Sequence, residues 1–87
     1  YMILVLEGRS ELLLNGEAVR AAAAAAPEAE GCRELLREEG VEIAVCNNAL
    51  RKNGIAAEEL TEGVRVVPAG VVELAERQFQ GYAYIRP

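Results

Sequence analysis

Only four residues, Glu7-Gly8-Arg9-Ser10, separate the first two strand-like runs of this chain, and that spacing limits its topology more than any other feature. Met2-Ile3-Leu4-Val5-Leu6 is wholly apolar, the pattern of a strand buried on both faces, and Glu11-Leu12-Leu13-Leu14 is a second run, closed by Asn15-Gly16. A right-handed crossover between parallel strands takes a dozen residues or more, usually a helix. The four-residue link therefore means a hairpin, or else a segment absent from the sequence between about residues 6 and 11. Tyr1 ahead of Met2 favours the second alternative, so we expect residues 1–87 to be a single domain that lacks this segment.

The remaining runs alternate helix-like and strand-like pieces, which predicts a parallel or mixed sheet covered by helices. Glu17-Ala18-Val19-Arg20 and the six alanines Ala21 to Ala26 have strong helix propensity, and Pro27 stops them. From Glu30 to Glu39, Cys32, Leu35 and Leu36 share one face, with Gly40 placed to end the helix. Val41-Glu42-Ile43-Ala44-Val45-Cys46 reads as a strand, and Asn47-Asn48 as a capping pair opening a short helix through Lys52. Ala56 to Leu60 adds one helical turn, and Val64 to Val67 another strand before Pro68. A last helix spans about Gly70 to Gln80, with Val71, Leu74, Ala75 and Phe79 on its apolar stripe and Glu73, Glu76 and Arg77 outside it. Tyr82 to Ile85 closes the chain as a strand with both tyrosines on one side.

Composition removes whole classes of chemistry. The chain has no His, no Trp and no Asp, and only one Ser, one Thr and one Lys, so a Ser-His-acid triad, a Cys-His pair and a His metal site are all impossible. All 14 acids are Glu against 9 basic residues, for a net charge of −5 with no basic cluster, so nucleic acid is not an expected partner. No run approaches the roughly 20 apolar residues of a membrane span, and no basic segment precedes an apolar one at the start. We expect a cytoplasmic protein without metal or cofactor. At 87 residues the core is thin, so association with further copies would add useful apolar burial.

Cys32 and Cys46 fit neither a CxxC motif nor a zinc pattern. Cys32 lies on an apolar helical stripe and reads as core. Cys46 ends a strand immediately before a helix start, where ligands gather in open α/β sheets and where free backbone N–H groups favour a thiolate. It reads either as a small packing residue or as the one reactive group. Asn47 and Asn48 read as caps, with hydrogen bonding to sulfur or a small anion as the sharper alternative. Arg51 could pair with Glu58 or Glu59 or bind an anion near the thiol. Gly70, in Pro68-Ala69-Gly70, forms a second strand-to-helix loop expected beside Cys46.

The run Cys46-Asn47-Asn48-Ala49-Leu50-Arg51-Lys52-Asn53-Gly54 resembles the Cys-x-Asn-x-Leu-Arg-x-x-Gly signature of the DsrE/DsrF-like family of sulfur-metabolism proteins. Asn15-Gly16-Glu17-Ala18-Val19, Leu60-Thr61-Glu62-Gly63-Val64, Val67-Pro68-Ala69-Gly70-Val71 and Gln78 to Pro87 are similar to other segments of that family, so that the likeness spans about Glu11 to Pro87. The resemblance implies a flavodoxin-like three-layer sandwich with a mostly parallel sheet of about five strands, and subunits assembled as homotrimers or homohexamers. It further implies that Cys46 carries a persulfide, exchanged with a thiol-bearing sulfur-relay protein. The family pattern has a long helix between its first two strands, and no residues here supply it. Two functions are therefore expected: a persulfide carrier or sulfurtransferase-type subunit using Cys46, or a non-catalytic oligomeric binding or scaffold protein whose cleft beside Cys46 takes a small anion or a protein partner.

Overall fold

The computed structural model describes residues 1–87. Met2–Leu6 (β1) and Arg9–Leu14 (β2) are joined through Glu7-Gly8 and pair antiparallel from Met2↔Leu13 to Leu6↔Arg9. Of the two alternatives for the four-residue link, the chain takes the hairpin. Gly8 turns it at φ +77°, a left-handed conformation that costs glycine nothing. Val41–Cys46 (β3) runs parallel to β2, and Arg65–Val67 (β4) parallel to β3. Ala83–Ile85 (β5) pairs antiparallel with the free edge of β1, giving the order β4-β3-β2-β1-β5. The sheet has the expected five strands, but two of its four pairings are antiparallel, so it is mixed and not mostly parallel. The hairpin is the cause: it reverses β1 against its neighbours.

Side chains alternate between faces along each strand, and each face has its own core. Leu14, Ile43 and Val45 on one face pack with Val19, Ala22, Cys32, Ala49 and Leu50 from the helical segments that follow β2 and β3. Leu4, Leu13, Ala44 and Val67 on the other pack with Tyr82 and the half-buried Leu74. Of β1, expected to be buried on both sides, only Leu4 is fully buried. Ile3 and Val5 point to the opposite face and are half-buried.

Ala29–Arg37 (α1) and Asn47–Lys52 (α2) fall where periodicity places them, as does a helical turn at Ala57–Glu59. Gly40, at φ +80°, bends the chain from α1 into β3, and its carbonyl accepts from the Ser10 amide at 2.8 Å. The alanine tract departs from expectation. It is a 3-10 helix over Gly16–Ala22 that stops at Ala23, which forms a bridge with Leu60. The Ala24 amide donates to Glu59 and the Thr61 amide to Ala22, each at 2.8 Å. A straight α-helix through Ala26 would forfeit these tertiary bonds, and they prevail over a propensity of a few tenths of a kcal/mol per residue.

Gly70–Phe79 (α3) also departs, in orientation instead of extent. Its inward face is Gly70, Glu73, half-buried Leu74 and Arg77, while Val71, Val72, Ala75 and Phe79 face outward, Phe79 with 91% of its surface exposed. The expected apolar stripe is thus largely the outer surface, and charge faces the sheet.

Candidate functional site

The carboxyl ends of the parallel strands β2, β3 and β4 converge on Cys46. The Asn15 side chain, just beyond β2, accepts from the Gly16 amide at 2.8 Å and caps the 3-10 helix. Cys46 ends β3 and is the residue from which α2 starts, though its side chain makes no capping bond. Beyond β4, Gly70 opens α3 so close to both that a Cβ placed on it would lie 3.3 Å from Asn15 Nδ2 and 3.7 Å from Cys46 Cβ. Gly70 and Cys46 are therefore neighbours, as the two-loop reading expects, and the small residue suits the close approach of α3, since a larger one would press on the Asn15 amide. Cys46 itself is only 4% exposed, covered by that approach and by the core beneath.

Asn47 and Asn48 do not cap α2, because the chain enters it at Cys46 and both asparagines lie inside its first turn. Asn47 is half-buried and Asn48 exposed. The capping asparagine of this region is Asn15, whose signal in the sequence was the Asn-Gly pair closing an apolar run. Asn48 instead lines a polar cleft of about 380 Å³ with Asn15, Glu17, Arg20, Lys52 and Asn53. Asn53 fixes one wall: its Oδ1 accepts from Arg20 Nε at 2.7 Å and its Nδ2 donates to the Ala49 carbonyl at 2.8 Å. Arg51 is exposed, and it joins Asn48 and Lys52 around an adjoining recess. It does not pair with Glu58 or Glu59; the Glu59 carboxylate accepts from the Ala56 amide at 2.7 Å. The cleft thus offers amides, an ammonium and a guanidinium at its rim, carried by the segment that follows Asn15 and by the helix that follows Cys46, while Cys46 itself is not among the residues that line it. No group of three or more metal-ligating side chains occurs, and no helix is long and apolar enough to cross a membrane.

Cys32 is buried, its Sγ donating to the Ala21 carbonyl at 3.4 Å. Burial first and the Glu28 charge second raise its thiol above the usual cysteine range, Arg33 offsetting only part, so it stays protonated in the core. No disulfide links it to Cys46.

On the α3 side lies a charge cluster that sequence reading missed. Glu11, in the middle of β2 and fully buried, meets Arg77 Nε at 2.9 Å and Arg65 Nη2 at 3.1 Å through one oxygen, while its second oxygen is buried with no N–H or O–H donor to accept from. Glu73 Oε2 accepts from Arg65 at 2.8 Å and from Arg77 at 3.1 Å. Arg77 also reaches Glu42 on β3 at 3.4 Å and the Tyr82 hydroxyl at 3.3 Å, with its guanidinium 5.0 Å above the Tyr82 ring. Burial, with the Glu73 hydrogen bond and charge behind it, raises Glu11 from 4.5 to about 7 against the pull of Arg77 and Arg65. Burial pushes Glu73 up as well, but hydrogen bonds from Glu11, Arg65 and Arg77 outweigh it and hold Glu73 below the usual carboxylate range. Both arginines lose some charge stability to burial and regain more from Glu73 and Glu11, so both stay charged.

Comparison with known proteins bears on the whole chain. The model of the DsrE/DsrF-like family matches residues 6–87. Among solved structures, a protein of unknown function, MTH1491 from Methanobacterium thermoautotrophicum, superposes with a TM-score of 0.83 at 35% identity, over 88% of this chain and 68% of that one. No curated protein matches.

Proposed function

Because the chain belongs to the DsrE/DsrF-like family, we propose that it is a sulfur-carrying subunit in which Cys46 accepts and passes on sulfane sulfur as a persulfide. The observation that carries this reading is the convergence of three strand ends, through Asn15, Cys46 and Gly70, on the Cys46 thiol, with a polar cleft carrying Arg20 and Lys52 formed by the segments that follow Asn15 and Cys46. The chemistry needs no general base. The Cys46 thiolate attacks the outer sulfur of a donor persulfide; a new S–S bond forms, the donor's S–S bond breaks, and the donor leaves as its thiolate. The reverse exchange delivers the sulfur to an acceptor thiol, so the natural partner is a protein bearing its own cysteine. Arg51 and Lys52 at the rim suit the approach of an anionic persulfide or an acidic partner surface.

The reading extends to assembly and architecture. Helical segments on both faces support a flavodoxin-like three-layer arrangement. The outward apolar residues of α3, Val71, Val72 and Phe79, support a homo-oligomer, trimer or hexamer, formed in the cytoplasm. Incubation of the reduced protein with a persulfide donor is expected to add about 32 Da at Cys46 and nothing to a Cys46→Ser chain. An unmodified Cys46 under conditions that load a free thiol peptide overturns the carrier reading.

The 4% exposure of Cys46 favours a second reading, a non-catalytic binding subunit whose cleft takes a small anion or partner through Asn48, Arg51 and Lys52. It expects Cys46→Ala to leave ligand binding and assembly intact, whereas the carrier reading expects loss of all sulfur transfer.

A further inference from the structure

α3 is held to the sheet chiefly by charge. Its inward positions are Glu73 and Arg77, with Leu74 half-buried between them, and every backbone hydrogen bond made by residues 70–82 outside strands is local to the helix and its ends. The chain enters the helix through Pro68-Ala69 and leaves it through Gly81, at φ +102°. Its first residue rests on Cys46 and Asn15. Moving α3 away would remove its contact with Cys46 and leave β1 to β4 paired.

The contacts that hold α3 down are arranged around an odd number of charges. Glu11 on β2 faces Glu42 on β3, Arg65 on β4, Glu73 and Arg77 on α3, and Tyr82 ahead of β5; on β1 its neighbour is apolar Leu4. With a proton on Glu11, the carboxylates of Glu42 and Glu73 balance the guanidiniums of Arg65 and Arg77. Without it, three carboxylates face two guanidiniums, and a Glu11 oxygen with no partner sits buried as a charge. Water reaching that oxygen relieves the imbalance, and the side from which water can arrive with the least loss of strand pairing is α3.

We propose that α3 is a lid over Cys46 whose latch is the Glu11–Glu73–Arg65–Arg77 cluster, shut while Glu11 holds a proton and loosened when it gives the proton up. The pH at which the lid loosens is the near-neutral range in which Glu11 titrates. The lid gives the carrier its regulation, and in that sense rests on the carrier reading: mild acid shields the thiol, and mild base exposes it.

The test is the alkylation rate of Cys46 by iodoacetamide in a Cys32→Ala chain, at pH 6 and pH 8.5, divided at each pH by the rate for the same chain unfolded in urea. Division corrects for the pH dependence of the reagent's reaction with a free thiol, and the Glu11→Gln chain supplies the folded reference. The normalised rate is expected to rise tenfold or more between the two pH values in the chain with Glu11, and to stay flat and low in Glu11→Gln, which keeps the shape and carries no charge. Equal pH profiles in the two chains overturn the latch. Hydrogen exchange on the unsubstituted chain gives a second reading that needs no variant: protection of the 74–79 amides falls from pH 6 to pH 8.5 while that of β3 holds. Loss of protection in α3 and β3 together would mean global opening and overturn the lid. Alkylation reports access alone. A chain that opens on schedule but takes up no sulfur from a persulfide donor overturns only the carrier, and one that takes up sulfur with pH-independent access overturns only the lid.

Discussion

Arg77 gathers five oxygen partners, on Glu11, Glu73, Glu42, Gln80 and Tyr82, while its own side chain is only 16% exposed. Replacing it with Met keeps the aliphatic stem and strands three carboxylates against a single remaining guanidinium. Breaking a buried ion pair by removing one partner costs about 3 to 5 kcal/mol, so Arg77→Met is expected to lower the urea midpoint at pH 7 severely. Glu11→Gln removes the surplus charge instead of a partner, and at pH 8 it is expected to raise the midpoint. Gly40 is as strict a position for a backbone reason. A Cβ there would collide with the Gly8 carbonyl oxygen, in a left-handed conformation that L side chains avoid. Gly40→Ala is expected to cost about 3 kcal/mol or more by adding a clash to backbone strain, and to show as a drop of more than 10 °C or so in Tm.

The elements themselves were legible where a residue's neighbours in sequence decide its state. Gly40 ending the turn before β3, the β-branched run of β3, and the one-turn helix near residue 57 all follow from local preference. The alanine tract and α3 were not, because partners distant in sequence decide them. Ala23 is claimed by Leu60, and Glu73 by Arg65 and by Glu11, 62 residues earlier. Helical periodicity assigns Phe79 to the core, since it cannot anticipate that a glutamate on β2 will draw the charged face inward. At the site, Cys46 and Gly70 were legible through strand-to-helix logic, whereas Arg20 and Asn53 meet at the cleft through a bond between residues 33 apart. The two assignments for α3 separate experimentally. If Phe79 were core, Phe79→Ser would cost about 3 to 5 kcal/mol; with Phe79 outside, the subunit's unfolding free energy is expected to shift by no more than about 0.5 kcal/mol. Leu74→Ala, removing the half-buried anchor on the other side of the helix, is expected to cost about 1 to 2 kcal/mol, less than a fully buried leucine. Chemical denaturation at concentrations below any self-association decides between them.

For the molecule as a whole, the shared proton sets the direction in which stability follows pH. Glu11 titrates near 4.5 when the chain is unfolded and at about 7 when it is folded, so the folded chain binds the extra proton between those values. Its contribution is complete below pH 4.5 and is lost as pH rises through 7, with a slope near −1.4 kcal/mol per pH unit inside the window and a total of about 3 kcal/mol. Glu73 acts in the opposite sense: its folded value lies below 4.5, so its contribution is complete above pH 4.5 and is lost as pH falls through that lower value. The two together place the stability maximum near pH 5 and a decline toward pH 8, the reverse of what a chain stabilised only by ionised carboxylate pairs would show. Urea midpoints from pH 5 to pH 8.5 are expected to fall in the native chain and to run flat in Glu11→Gln. A native profile that stays flat across the same range would mean that Glu11 is ionised throughout, held by Arg65 and Arg77, and the balance of charge under α3 would then have to be drawn the other way.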